Sequence, residues 1–334
     1  MELCAADLVA ASPLFEHSHL PLKLEATVAG VNLVEWARLN QAMIASSLRP
    51  SGGILFRNFE VNIDDFGQFV HIVGGELLGY EDRSSPRRRV KGNVFTSTDY
   101  PAEHAIFLHN ENSYSRVWPL KIFFHCVQPA ASDGETPIAD VRGVLARISA
   151  SVKQRFAEKK VLYVRNFGNG LGLSWQEAFQ TTDPIMVERV CRSADISWEW
   201  KGQDRLKTRQ IRPAIAIHPV TKEELWFNHA AFFHSSTLAP AVRETLFAAG
   251  IAEEDFPYNT YYGDGTPIET AALDEIREAY KQQAVYFSWQ ARDVLMLDNM
   301  LTAHGRAPYT GARQILVAMA EPSSTINDHL DLDQ

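Results

Sequence analysis

Cysteine is scarce in this chain: Cys4, Cys126 and Cys191 are three in 334 positions, widely spaced and without a C-x-x-C pair. An odd, scattered set does not build a disulfide framework, so the reducing cytoplasm is the expected compartment. No apolar run is long enough to span a bilayer. The start, MELCAADLVAASPLF, lacks the basic segment and apolar core of a secretory signal. Positive charge is also in deficit. With 32 Lys and Arg against 41 Asp and Glu, the formal net charge of −9 argues against a nucleic-acid-binding surface. What is present is ordinary for a globular protein, 46% apolar and 22% charged, and long enough for a substantial core. Either a monomer or a homo-oligomer is compatible with it.

The hydrophobic pattern changes along the chain. Up to about residue 80 it mixes helix and strand: Gly52-Gly53 leads into the buried run ILFRNF, and NIDDFGQFVHIVGG spaces Phe66, Phe69, Val70 and Val73 for one helix face. From residue 92 short β-branched or aromatic runs dominate: NVFTST, AIFLHNE, KIFFHCV, AIAIHPV, ELWFN and DVLMLDN. Turn residues lie between them, as in Pro129–Gly134 and Pro308–Gly311. Many short strands with helices confined to flanks predict a mainly β protein with a double-stranded β-helix (jelly-roll) core. Asp140 is placed to cap a helix that buries Val141, Val144, Leu145, Ile148 and Val152. We therefore expect one jelly-roll domain over 1–322 with a helical insertion or lid at about 141–210. Further helices are expected at Pro240 and through Leu273, Ile276 and Tyr280, and residues 323–334 form a polar acidic tail.

The chemistry concentrates in two segments. FLHNENSY carries His109 and Glu111, and LDNMLTAHGRAPYTGARQILVAM carries His304. Two histidines and one carboxylate are the ligand set of mononuclear non-haem iron(II) oxygenases, and they leave positions open for a bidentate co-substrate and dioxygen. On a strand, residues i and i+2 share a face, so His109 and Glu111 are expected to reach one metal from a single strand. Arg313, a turn beyond His304, is placed at the barrel mouth, where its fork could grip a dicarboxylate or merely pair across an edge strand. Ahead of the first segment stands a basic run, Arg83, Arg87, Arg88, Arg89 and Lys91. It reads either as a solvated loop or as a patch for an anionic group. Thr98, Ser113, Tyr114 and Asn228 are candidate substrate contacts at the mouth. His229, His234, Trp118, Trp226 and Cys126 read as structural residues.

LHNENSYSRVWPLKIFFHCVQPAASDGETPIAD followed by NMLTAHGRAPYTGARQILVAM resembles the TauD/TfdA-like Fe(II)/2-oxoglutarate oxygenases, in particular the branch with clavaminate synthase and SyrP-type hydroxylases. The resemblance runs from about Gly52 to Met319 and is weak over residues 150–210. It implies Fe(II) at His109, Glu111 and His304, with 2-oxoglutarate and O2 as co-substrates. It implies that Thr136 hydrogen-bonds the 2-oxoglutarate carboxylate and that Arg313 pairs with it, Arg306 being the alternative. Glu111 stands where most of the family has Asp, as in the clavaminate-synthase-like variant. Halogenases on this scaffold have Ala or Gly there, so Glu111 implies oxygen insertion and not chlorination.

The branch implies hydroxylation of an amino-acid moiety, either an aminoacyl group on a carrier protein in nonribosomal peptide biosynthesis or a free amino acid or small peptide. In the carrier-protein case, Arg87, Arg88 and Arg89 would meet the acidic partner. Desaturation, epoxidation and ring formation use the same oxidant. Two other classes fit parts of the pattern: a non-catalytic metal-binding jelly roll, and a zinc hydrolase, for which no separate general base is evident.

Overall fold

The computed structural model describes residues 8–79, 87–97, 100–168, 170, 172–202 and 204–324. Thr98 and most of the acidic tail lie outside these residues. The expected jelly roll is present as an eight-stranded sheet facing a four-stranded one. In the large sheet, Val294–Asp298 pairs with Gly53–Arg57 on one side and with Val117–Gln128 on the other; Gln314–Ser324 continues beyond Val117–Gln128.

The central strands are apolar at nearly every position because both faces are covered. Alternation assigns each side chain to one of two cores. Ile54, Phe56, Phe123, Val294, Met296, Leu316 and Ala318 point outward to the helices Leu33–Ser51 and Ile63–Gly74. Leu55, Ile122, Phe124, Leu295, Leu297, Ile315 and Val317 point inward, where Ile138 of the small sheet meets them. A one-residue slip of any of these strands would exchange the two sets. The first helix is capped by the Asn32 side chain on the Val34 and Glu35 amides. The second carries a full capping box between Asn62 and Asp65.

The small sheet holds the chemistry. Its strands run in the order Ala284–Val285, Ile138–Asp140, Thr302–Arg306, Ile106–His109. Asp140 does cap a helix, but Val141–Arg147 stops at Ile148 and a second helix, Ala150–Lys159, restarts on a Ser149 cap.

The insertion expected over 141–210 does carry helices, Val141–Arg147, Ala150–Lys159, Trp175–Phe179 and Pro184–Ser193. It also carries its own four-stranded antiparallel sheet, Ser197–Trp200, Leu206–Arg212, Val161–Phe167 and Tyr258–Tyr262, and runs on through the helix Thr270–Gln283. Ile215–Ile217 and Glu224–Trp226, expected among the barrel strands, form a separate two-stranded ribbon. The helix opening at Pro240 is present as Pro240–Ala248. The last barrel strand continues to Ser324, past the expected end of the domain at 322. No helix among the described residues is long and apolar enough to cross a membrane.

Candidate metal and co-substrate site

His109 and His304 are direct partners across the antiparallel pair Ile106–His109 and Thr302–Arg306, and their ring centroids stand 4.5 Å apart. The strand geometry itself therefore sets the two imidazoles together. Gly305 permits the approach: a Cβ there would lie 2.7 Å from the Ile106 carbonyl oxygen.

Glu111 reaches the histidines differently from the expected i, i+2 strand arrangement. The strand ends at His109, and Glu111 lies in the turn that follows, with Asn112 left-handed at φ 57°. Asn299 holds that turn in place. Its Oδ1 accepts from the Glu111 amide at 2.7 Å, and its Nδ2 donates to the Glu111 carbonyl at 2.9 Å and to the Pro119 carbonyl at 2.8 Å. Asn110 Nδ2 returns a bond to the Asn299 carbonyl at 2.6 Å. One donor atom from each of His109, Glu111 and His304 lies within 4.8 Å of the others.

These donors fit a divalent metal. His109 Nδ1 lies 2.8 Å from the Phe107 carbonyl oxygen, which can only accept, so Nδ1 carries the proton and Nε2 keeps its lone pair. Burial, with His304 beside it, lowers the His109 pKa to about 3, so the imidazole is neutral at physiological pH. Burial alone would raise the Glu111 carboxyl. Arg87, in an ion pair at 3.0 Å, and the two histidines outweigh it and hold Glu111 well below the usual carboxylate range. His304 Nε2 faces Glu111 Oε2 at 3.6 Å, while its buried Nδ1 has no hydrogen-bond partner among the described residues. A buried imidazole left unsatisfied by protein alone suits a metal ligand.

Aromatic rings wall the site. Phe232 stacks on His109 with centroids 4.6 Å apart, and Phe124 lies 5.0 Å from His304. His229 sits behind, its ring 5.6 Å from His109, with Nδ1 2.6 Å from Ser113 Oγ and its backbone amide donating to the Tyr163 hydroxyl. Burial and the neighbouring His109 keep His229 neutral.

His109 and His304 open onto a pocket that also contains Arg87, Ser97, Thr136, Arg306 and Arg313. Arg313 Nε donates to the Gly134 carbonyl at 2.9 Å, and Nη2 approaches Thr136 Oγ1 at 3.4 Å. Trp289 Nε1 donates to the same hydroxyl at 3.1 Å. Burial, then the neighbouring Arg306, lowers the Arg313 pKa to about 10, and it remains a cation at neutral pH. Among the described residues it forms no ion pair, so the edge-strand salt bridge is absent. Arg306 is engaged elsewhere, donating to the carbonyls of Tyr100, Pro101 and His104 at 2.9, 2.6 and 2.7 Å. It ties down the 100–104 segment.

Several candidate substrate contacts are placed elsewhere. Asn228 is buried with both ends of its amide on backbone, Ala214 O and Ala230 N, and has a structural role. Tyr114 is fully buried against Tyr163, His229 and Phe233, and Ser113 is tied to His229, so neither stands at the mouth. Arg87 leaves the basic run and turns inward, whereas Arg88 and Arg89 are exposed. Trp118, Trp226 and Cys126 are buried as expected, and His234 bonds to Ser236. Sequence reasoning missed Asn299, Phe232 and the inward turn of Arg87. A roomier hollow between the helix Ile63–Gly74 and Val94 contains none of the three ligands.

A jelly roll presenting two histidines and a carboxylate beside a cationic pocket defines a mononuclear non-haem metal oxygenase. The comparisons specify it further. The family described as taurine catabolism dioxygenase TauD, TfdA family, matches residues 16–319. The chain is 41% identical over 276 residues to the dapdiamide synthesis protein DdaC of Enterobacter agglomerans, covering 82% of this chain and 84% of that protein. It is 30% identical over 291 residues to a clavaminate synthase-like protein of Arabidopsis thaliana, covering 83% of each. Among solved structures, the PvcB protein from Pseudomonas aeruginosa aligns over 93% of this chain and 90% of that one, with TM-score 0.56 and 16% identity. A taurine dioxygenase from Burkholderia xenovorans covers 94% and 89%, with TM-score 0.54 and 17% identity. These two likenesses are of fold. The chain belongs to the TauD/TfdA family of Fe(II)/2-oxoglutarate-dependent dioxygenases.

Proposed function

We propose that this enzyme hydroxylates an amino-acid moiety in natural-product biosynthesis, the substrate being an aminoacyl group held on a carrier protein, and that it works in the cytoplasm. The observation that carries the oxygenase reading to these residues is Arg313, a largely enclosed cation without a carboxylate partner among the described residues, in one pocket with His109, His304 and Thr136. His109, Glu111 and His304 would hold the iron, and Arg313 with Thr136 would hold the remote carboxylate of 2-oxoglutarate. Iron and 2-oxoglutarate supply the oxidation of a substrate C–H bond by dioxygen, with succinate and carbon dioxide as co-products. The protein's part is to orient and enclose. The Phe107 carbonyl fixes the His109 tautomer, Asn299 fixes the Glu111 backbone, and Phe232 and Phe124 keep water from the ligands.

The amino-acid substrate class is supported by the 41% identity to the dapdiamide synthesis protein. Exposed Arg88 and Arg89, next in sequence to the pocket residue Arg87, suit an acidic carrier. The second reading keeps the same chemistry on a free amino acid or small peptide, with hydroxylation, desaturation or epoxidation as outcomes. Mass spectrometry of candidate aminoacyl carrier proteins and of free amino acids after turnover tests both. A gain of one oxygen on the tethered substrate supports the proposal, and turnover confined to free amino acids rejects the tether.

A further inference from the structure

The ion pair between Arg87 and Glu111 is the buried contact that the ligand set itself does not explain. Arg87 Nη2 lies 3.0 Å from Glu111 Oε2, and the two side chains are 5% and 3% exposed. Oε2 is also the oxygen 3.6 Å from His304 Nε2. One oxygen thus faces both the guanidinium and the second histidine. Glutamate has one more rotatable bond than aspartate, so a glutamate ligand needs more to fix its carboxylate. The backbone of Glu111 is fixed by Asn299, but that clamp stops at the main chain. Beyond Cβ, Arg87 and His304 both approach the carboxylate at Oε2.

We infer that Arg87 is a positioning residue for the metal centre, orienting the Glu111 carboxylate toward His109 and His304 before the metal arrives. Arg87 comes from outside both ligand-bearing segments, at the start of the edge of the large sheet, next to the strand Arg89–Lys91. Lysine could supply the charge but not the planar fork, so the geometry and the charge are separable by substitution.

The inference rests on His109, Glu111 and His304 as the ligand set, and the test keeps the two apart. Co(II) is titrated into the metal-free protein, without 2-oxoglutarate, and followed by its visible d–d absorption. Wild type is compared with Arg87→Leu, Arg87→Gln, Arg87→Lys, Glu111→Gln, the double variant Glu111→Gln/Arg87→Leu, and His109→Ala. Loss of a partner that orients a ligand typically costs 10–100-fold in metal affinity. Arg87→Leu and Arg87→Gln are expected to weaken Co(II) by about that factor. Arg87→Lys should recover part of it, and in the Glu111→Gln background Arg87→Leu should add little, since its route to the metal is already cut.

Wild-type affinity in a folded Arg87→Leu or Arg87→Gln protein would overturn the inference. So would tighter binding, which would mean that the guanidinium acts only by repelling the metal. An equal loss from Arg87→Leu with and without Glu111 would show that it acts through the fold. If Arg87→Leu does not fold, the Gln and Lys variants decide on the same criteria. Should His109→Ala bind Co(II) as wild type does, the ligand set fails and the Arg87 role fails with it.

Discussion

The side-chain amide of Asn299 pairs with both backbone polar groups of Glu111, accepting from its N–H at 2.7 Å and donating to its carbonyl at 2.9 Å. A side chain thereby stands in for a neighbouring strand just where the strand Ile106–His109 has ended. Asn299 itself follows the central strand Val294–Asp298, so the most buried part of the large sheet sets the height of the turn that carries Glu111. We expect Asn299→Ala to lower the melting temperature, because three buried backbone groups, the Glu111 N–H and carbonyl and the Pro119 carbonyl, lose a partner at about 1–3 kcal/mol each. It should also weaken Co(II) binding, since the turn is freed. Unchanged metal affinity in a destabilised Asn299→Ala protein would assign the clamp to stability alone.

His109→Ala, Glu111→Ala and His304→Ala should each abolish substrate-coupled succinate formation while circular dichroism stays near wild type. The three donors converge within 4.8 Å, so loss of one leaves an incomplete triad. Turnover near the wild-type level with added iron would remove that residue from the set.

The two arginines of the pocket should separate by phenotype. Arg313→Leu is expected to raise the 2-oxoglutarate requirement by about two to four orders of magnitude, corresponding to roughly 3–5 kcal/mol for an anion left without its buried partner. Arg306→Leu should act mainly on stability, because it releases three carbonyls of the 100–104 segment. The comparison is made from KM for 2-oxoglutarate and from thermal melts of the same proteins. A larger KM effect from Arg306→Leu would reverse the assignment.

How much of this was legible in the sequence depends on which interaction sets each feature. The barrel strands were legible because alternation is a local property: Ile54 and Phe56 against Leu55, or Val294 and Met296 against Leu295 and Leu297, divide between two cores without reference to partners. The two histidines were legible for a similar reason, since His109 ends the apolar strand Ile106–His109 and His304 lies a short step beyond the apolar strand Val294–Asp298. Glu111 was read as a strand residue because periodicity does not reveal where pairing stops, and here it stops at His109. Asn299 and Arg87 were not legible, because each acts through a partner nearly 190 or just over 20 positions away and neither disturbs the hydrophobic pattern. The sheet within the insertion was not legible, because Val161–Phe167 and Leu206–Arg212 mix charged and apolar residues irregularly and become strands by pairing with each other and with Tyr258–Tyr262 and Ser197–Trp200.

Acid should destabilise the metal-free enzyme through His109. Its pKa falls from 6.5 in the unfolded chain to about 3 in the folded protein, mainly because it is buried. Between these values the unfolded chain takes up a proton that the native state refuses, so stability is lost as pH falls through that window and is fully present above it. Melting temperatures of wild type and His109→Ala, measured from pH 7.5 to 4.5 with chelator present, should diverge, with the wild type falling more steeply. Parallel curves would show that the imidazole titrates in the native state and that its enclosure is less complete than the structure indicates.

The exposed part of the basic run tests the carrier-protein reading. Among the described residues of the run, Arg87 turns inward onto Glu111, Lys91 pairs with Asp64 at 2.6 Å, and Arg88 and Arg89 are exposed at the surface. Arg89 also rests over the Phe95 ring at 5.7 Å, so reversing its charge removes a packing contact along with the charge. An acidic carrier steered by these residues should associate more slowly when both become Glu, and the association should lose part of its salt dependence. We therefore expect Arg88→Glu/Arg89→Glu to lower kcat/KM for a tethered aminoacyl substrate by roughly tenfold at low salt, in the range of electrostatic steering. Decay of 2-oxoglutarate without substrate should be unchanged, because neither residue touches the pocket. Equal kcat/KM on the tethered substrate at low and high salt would return Arg88 and Arg89 to a solvated edge and leave the free amino acid as the better reading.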